Sequence, residues 1–454
     1  MNLPNYFLAD MPPEALVTPT LLTEACQAIK NNRERYLLHR STHSLVLLLS
    51  TVAKEWLQPE NNFRKAALEM GPEVLGFSRQ TLTRGLDAFF KQVTAERLQA
   101  LIEQDLGQLE RLEKFSSSGP EERTSRASLA VGPEMIAHIT AGNLPSPTLQ
   151  SMVLGLLVRS AQFVKCAQGK SLLPRLFAHS LYETDRKIGA CIELAEWRGG
   201  TVELEEALFA EADCVTATGS DATLSAIQQR LPQGKRLVGY GNRVSFAYIA
   251  SEVLTGLNVR KVAERAALDV AAWNQLGCLS PHVIYVQDGG AVSPEKFAEL
   301  LADALAEREE AEPRGEVAVE VAAAVTSRRS IYEVRAADSP GTRLWSSRGS
   351  TAWTVVYESD AKFQLSCLNR FVYVKTVKDL TETLQSADSF RRKVSTVGLA
   401  VPVHRAEEMA GQLGRWGATR VCPLGQMQNP PLGWRHDGRP ALAELVTWVD
   451  WEIE

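Results

Sequence analysis

Cys278 sits in the stretch WNQLGCLSPH, Trp273 to His282, and three roles are open to it. It can be a small core residue, a metal ligand or a nucleophile. Gly277 before it permits positive φ and a close backbone approach by a ligand. Pro281 ends any local helix and prepares a strand. A thiol on such a turn can be exposed, with its thiolate stabilised by backbone dipoles. Metal ligation is disfavoured, because no nearby Cys, His or Asp has ligand spacing. The core thiol and the nucleophile both remain.

Other residues could join such chemistry. Asn143 ends the apolar run MIAHITAGN and precedes Leu-Pro-Ser-Pro. An amide there can donate to a developing oxyanion, or it can serve as a turn or cap residue. Thr218, Gly219 and Ser220 lie in the turn TATGSD between a strand-like and a helix-like run. Glycine at a strand-to-helix turn lets phosphate approach a helix N-terminus. The G-x-G-x-x-G dinucleotide fingerprint is absent there. SMVLGLLV could line an acyl tunnel, or it could be plain core.

The elements around these residues set the fold class. The chain has 454 residues, which is enough for two or three domains. Apolar residues make up 45% and charged residues 23%, as in an ordinary globular protein. A net charge of −5 argues against nucleic acid as the main partner. No apolar run is long enough to span a membrane, and the start lacks the pattern of a signal peptide. A cytoplasmic location is the default expectation. The seven cysteines are scattered without a C-x-x-C pair, which argues against a zinc ribbon or a disulfide framework.

The first third reads as helical, in SLVLLLSTVAKEWL, GFSRQTLTRGLDAFFKQV and AERLQALIEQDLGQLERLEKF, with Ser78 as an N-cap. The polar stretch SSSGPEERTSR marks a boundary. Strand-like and helical runs then alternate, implying parallel β-α-β units. A second α/β portion begins after about Val244. It holds the cysteine turn, the strand HVIYVQ, a long charged helix and the strands WTVVYE and NRFVYVKTV. The Pro/Gly-rich tail CPLGQMQNPPLGWRHDGRP reads as an extended loop crossing back over the protein.

Taken in order, HITAGNLPSP, FVKCAQGK, Asp213–Asp221, VGYGNRVSF, WNQLGCLSPH, the span from WTVVYE to NRF, and GWRHDGRP resemble the aldehyde dehydrogenase superfamily. The nearer likeness is to the LuxC-type fatty acyl-CoA reductases of bacterial luminescence, over nearly the whole chain. The resemblance implies two Rossmann-like parallel-sheet α/β domains with a helical N-terminal region. It divides the chain into a helical region (1–125), a cofactor domain (126–245), a catalytic domain (246–420) and a returning C-terminal segment (421–454).

By the same resemblance, Cys278 is the nucleophile and Asn143 binds the oxyanion. Lys165 reaches the adenosine ribose, and Thr218, Gly219 and Ser220 lie beside the cofactor diphosphate. His436 becomes a proton donor or carrier contact, against the plainer reading of a hydrogen-bonded structural histidine. Three departures matter. Where aldehyde-oxidising relatives carry a base glutamate, this chain has Gly239-Tyr240-Gly241-Asn242-Arg243. An acyl-enzyme would then escape hydrolysis and wait for hydride. Gln168 replaces a ribose-binding glutamate, with Lys170 beyond it, which favours NADPH. LSCLNRF offers no carboxylate for the nicotinamide ribose.

The expectation is NADPH-dependent reduction of a fatty acyl-CoA or acyl-protein thioester to the aldehyde. A homo-oligomer and an acyl-activating ligase partner are expected too. The alternatives are a cysteine acyltransferase or thioesterase, an aldehyde-oxidising dehydrogenase, and a non-catalytic partner of the ligase.

Overall fold

Five helices open the chain: Pro19–Tyr36, Thr42–Trp56, Asn62–Leu75, Arg79–Phe90 and Ala95–Leu106. Each starts on a side chain that accepts a backbone N–H three residues on: Thr18, Ser41, Asn61, Ser78 and Thr94. Such a cap typically contributes about 1 kcal/mol. The structure, a computed structural model, describes residues 3–12, 14–256 and 258–453. Among these, no helix is long and apolar enough to cross a membrane. The long helix expected from Ala95 to Phe115 is shorter. Gly107 takes φ +84° and ends it, and a 3-10 turn at Leu109–Leu112 follows.

Fourteen strands are described: β1 (Arg126–Val131), β2 (Met135–Ile139), β3 (Ala161–Ala167), β4 (Ile192–Trp197), β5 (Cys214–Thr218), β6 (Arg236–Tyr240), β7 (Val244–Ile249), β8 (Pro281–Gln287), β9 (Thr342–Ser346), β10 (Thr354–Glu358), β11 (Phe371–Val377), β12 (Val394–Ala400), β13 (Arg420–Pro423) and β14 (Thr447–Glu452). One sheet has the order β4-β3-β2-β5-β6 and is parallel throughout. The other has the order β13-β12-β7-β8-β11-β10-β9 and is parallel except for its edge strand β9. The two parallel-sheet α/β domains are those expected, with one antiparallel strand added at the edge of the larger sheet. β2 and β7 are buried at every residue. Their apolar runs suit strands covered by helices on both faces.

Register places the functional loops. Ile139 pairs with Lys165 on one side and Ala217 on the other. The segments after β2, β3 and β5 therefore leave the same edge of the five-stranded sheet. Strand order reverses direction at β2, and ligands bind at such a crevice beyond the strand C-termini. The C-terminal tail ends in β14. It runs back across the protein to pair β14 with β1, and β14 is exposed at all six residues.

The helix Arg79–Phe90 packs on the turn before Cys278. A Cβ on Gly85 would lie 2.0 Å from Cζ2 of Trp273. Gly85→Ala is therefore expected to destabilise the fold by about 1–3 kcal/mol in urea unfolding. Unchanged stability would mean that the indole has room to move.

Candidate active site

The backbone inverts just before the cysteine. Trp273, Asn274 and Gln275 have φ of 50°, 53° and 64°. The left-handed region costs an ordinary residue on the order of 1–2 kcal/mol. Side-chain amides hold the turn. Nε2 of Gln275 donates to the carbonyls of Pro281 (2.8 Å) and Phe371 (2.9 Å). Its Oε1 accepts the Phe371 N–H at 2.8 Å. Nδ2 of Asn274 donates to the Arg314 carbonyl at 2.8 Å.

A second left-handed triplet, Leu368–Arg370, faces the first, with φ of 62°, 56° and 63°. The wholly buried Arg370 links the two, donating to Asn274 Oδ1 at 3.2 Å and to Glu309 at 2.7 Å. The Trp-Asn-Gln lead of the sequence motif forms the first triplet, but its left-handed turn has no signal in the sequence.

Cys278 emerges from this clamp half-buried. Its carbonyl accepts from the Ser245 hydroxyl at 2.7 Å. The side chain opens on a cleft with an internal volume of about 150 Å³. Phe89 and Leu154 wall it from two helices, and Leu432, Trp434 and His436 from the tail. Among the described residues lining it, none is a carboxylate, a lysine or an arginine. Burial pushes the Cys278 thiol up to about 12, and the Asp437 charge adds to that rise. Arg243 and the Ser395 hydroxyl oppose it.

Asn143 comes from the other sheet. Gly142 turns the chain at φ +74°, where a Cβ would meet Ala167 at 2.8 Å. Nδ2 of Asn143 then donates to the Leu276 carbonyl at 3.3 Å, two residues before the cysteine. An amide nitrogen has two hydrogens, so one donor remains for another acceptor.

Tyr240 occupies the stretch where a base glutamate was expected to be missing. Its ring stacks on His436 with centroids 4.2 Å apart and planes within 11°. His436 also packs on Trp434 at 4.6 Å, and Arg439 lies over Tyr240 at 4.7 Å. Arg439 further ties the tail to β6 through the Gly239 carbonyl at 2.7 Å. The nearby carboxylate, Asp437, pairs with Arg243 at 3.1 Å and does not line the cleft.

The remaining residues gather at the C-terminal edge of the five-stranded sheet. Lys165 is buried, and its ammonium lies 5.7 Å from the centroid of the Trp197 ring. Burial lowers its pKa, while Glu205 opposes the fall. Among the described residues this ammonium makes no hydrogen bond. Gln168 is exposed in the turn after β3. Glu196 holds that turn through the N–H groups of Gly169 (2.7 Å) and Ser171 (3.0 Å). Lys170 points elsewhere, donating to the Val74 carbonyl at 2.8 Å in the helical region. Thr218 reaches the cysteine cleft. The Gly219 N–H donates to the Tyr240 carbonyl, and Ser220 caps the helix Asp221–Arg230.

Sequence reasoning missed Gln275, Ser245 and Ser395. Gln275 was legible as part of a motif, but its role depends on β11, 96 residues later. The two serines carry no local signal.

The two sheets, the tail and the cysteine turn between them form the aldehyde dehydrogenase fold. A structure of indole-3-acetaldehyde dehydrogenase complexed with NAD+ superposes with a TM-score of 0.73 at 13% identity, covering 96% of this chain and 89% of that one. The structure of the putative aldehyde dehydrogenase PutA from Anabaena variabilis gives 0.69 at 14% identity, covering 96% and 93%. Within that fold the chain belongs to the acyl-CoA reductase (LuxC) family, whose model matches residues 37–448. It is 20% identical over 90% of its length to the long-chain acyl-protein thioester reductase of Photorhabdus laumondii, spanning 82% of that protein. The enzyme of the same name from Vibrio harveyi is 21% identical, with 92% and 84% covered.

Two outcomes test this geometry. Gln275→Ala removes three buried hydrogen bonds and is expected to cost about 2–4 kcal/mol. It should also change the rate at which iodoacetamide modifies Cys278. An unaltered rate with unaltered stability would show that the clamp does not position the thiol. The second outcome concerns His436. Burial holds it down at about 4, with Asp437 pulling up and Arg439 and Arg243 pushing down. It therefore stays neutral as pH falls from 8 to 5, and its imidazole NMR signals should show no inflection there. An inflection near 6.5 would contradict the buried stack.

Proposed function

We propose that the protein reduces a long-chain fatty acyl thioester to the aldehyde, through an acyl-cysteine on Cys278 and with NADPH as reductant. One observation carries this reading: the thiol faces a cleft whose described lining holds no carboxylate to activate water. The names of the two relatives, long-chain acyl-protein thioester reductases, support the same class of substrate.

The residues at the sheet edge fit a pyridine nucleotide. Lys165 offers an unspent ammonium, and Ser220 opens a helix whose first N–H groups can meet a phosphate. Bound there, NADPH would supply the hydride for the acyl carbon. Gln168 puts no negative charge against a 2′-phosphate, which favours NADPH. Lys170 contributes less than its position implies, because its ammonium is spent on Val74.

In the first step the Cys278 sulfur bonds to the acyl carbon and the bond to the carrier sulfur breaks. The thiol proton leaves with the carrier thiol. The free N–H of Asn143 and the Cys278 N–H hold the oxyanion. In the second step the reduced carbon remains on sulfur as a thiohemiacetal. One proton from solvent balances the hydride: it reaches the Cys278 sulfur as the C–S bond breaks, and the aldehyde leaves. Throughout, Leu432, Trp434 and Phe89 keep the chain dry, and the Tyr240–His436 stack fills the place of a base. His436 is neutral at pH 7 and acts as a hydrogen-bond partner for the carrier thiol.

Hydrolysis or aldehyde oxidation on this fold would need a carboxylate base. Asp437 is the candidate for it, but Arg243 restrains it behind the cleft wall. We assign the acyl donor as acyl-CoA or an acylated protein, the latter linking the chain to an acyl-activating ligase.

With palmitoyl-CoA and NADPH, Cys278→Ala should lower aldehyde output to background. Asn143→Ala should lower kcat by roughly 10²–10³. Normal output from the first variant would end the covalent mechanism. Gln168→Glu should raise the KM for NADPH about tenfold, or about 1.4 kcal/mol, with a smaller effect on NADH. An equal change for both nucleotides would remove Gln168 from the 2′-phosphate site.

A further inference from the structure

Beneath the cysteine, the seven-stranded sheet departs twice from regular pairing. Along β12 the register shifts between Val394 and Thr396, which leaves Ser395 as an extra residue against β7. Along β8 it shifts between Pro281 and Val283, which leaves His282 extra on the other side of β7. A bulge interrupts the ladder and re-aims a side chain, and bulges recur beside active sites.

The His282 side chain is accounted for, since its Nδ1 accepts the Ser366 N–H at 3.1 Å. Ser395 is different. It is fully buried, and its hydroxyl has no hydrogen-bond partner. An interior hydroxyl left unpaired carries its full desolvation penalty, so it is kept where a partner arrives during the reaction. The carbonyl of Ser395 is satisfied, because it accepts from Thr419 Oγ1 at 3.0 Å. The next residue is tied to the cysteine. The Thr396 N–H donates to Ser245 Oγ at 3.1 Å, and that same hydroxyl donates to the Cys278 carbonyl at 2.7 Å. The bulge thus carries an unspent hydroxyl into the immediate surroundings of the nucleophile.

We propose that Ser395 is the hydroxyl that stabilises the Cys278 sulfur, donating a hydrogen bond to the thiolate as it attacks and again as the thiohemiacetal collapses. The proposal rests on the reading of Cys278 as the nucleophile. In this structure the contact falls short of hydrogen-bond geometry, as is common before substrate binds. The influence is already present, since Ser395 is among the groups that pull the thiol down against burial. A hydroxyl suits this cleft. It stabilises a thiolate without supplying a base, so it does not activate water against the acyl-cysteine. A lysine or histidinium would stabilise the sulfur more, but each would bring a titrating group into a cleft whose acyl-enzyme must persist.

The test is the pH dependence of iodoacetamide alkylation, read on the Cys278 peptide by mass spectrometry, in Ser395→Ala, Ser395→Gly and Ser395→Thr proteins. At a fixed pH of 8, the Ala and Gly variants should alkylate Cys278 about five- to tenfold more slowly than the parent chain, the scale of one lost hydrogen bond to a charged group. The Thr variant should recover most of that loss. Cys367, half-buried on another loop, serves as the internal reference and should not change. A role in packing alone would alter melting temperature without moving the Cys278 profile. Parent-like alkylation in folded Ala and Gly variants would overturn the proposal, as would a Thr variant as slow as Ala at equal melting temperature. Alkylation needs neither acyl donor nor cofactor, so it is decided separately from the reductase reading, which falls if Cys278→Ala still makes aldehyde.

Discussion

The side-chain amide of Gln275 is the interaction on which the site depends. It replaces a missing stretch of backbone ladder, bonding the Pro281 carbonyl and both polar groups of Phe371. Those two residues begin β8 and β11, which are neighbours in the sheet. With the amide in place, the chain can run left-handed through three ordinary residues and bring Cys278 to the surface of the cleft. Without it, the strain in Trp273–Gln275 has little to oppose it. Asn143 depends on the same turn, because its contact is the Leu276 carbonyl. The clamp therefore fixes the proposed nucleophile from one sheet close to an amide from the other.

The chemistry follows from what this arrangement excludes. The cleft around the thiol is walled mainly by apolar and aromatic residues, and its described walls carry no carboxylate. The tail enforces that exclusion. Trp434, His436, Tyr240 and Arg439 stack in sequence, and the Arg439 bond to Gly239 fastens the stack to β6. Asp437 sits next to the histidine and is neutralised by Arg243. In the proposed mechanism, an acyl group on sulfur in such a place would meet a hydride donor more readily than activated water. The same burial that would protect the proposed intermediate makes the thiol hard to ionise, and the proposed Ser395 hydrogen bond offers a compensation that adds no base.

Much of this was legible in the residues, and the rest was hidden for physical reasons. Gly277, Cys278 and Pro281 announce a turn and then a strand, and β8 begins at Pro281. The absence of a glutamate in Gly239–Arg243 also reads directly. Lys170 misleads because its partner, Val74, lies 96 residues earlier and belongs to the helical region. Nothing local tells a cofactor-facing lysine from one that caps a distant carbonyl. The strand Val394–Ala400 mixes small and polar residues and gives a weak pattern, so the bulge at Ser395 could not be anticipated. The helix Val319–Asp338 and the strand Ile192–Trp197 also escaped, the latter because its alternating charges resemble a surface segment. Bulges and amide clamps are properties of strand pairs, and a single chain read in order does not display them.

The central claim is a long-lived acyl-cysteine, and its lifetime is the most direct measurement. The protein would be incubated with radiolabelled palmitoyl-CoA without reductant, and label would be followed on the Cys278 peptide and as free palmitate. The account predicts label on Cys278 that persists until NADPH is added and then leaves as aldehyde. Rapid release of palmitate without reductant, or label bound anywhere but Cys278, would contradict it.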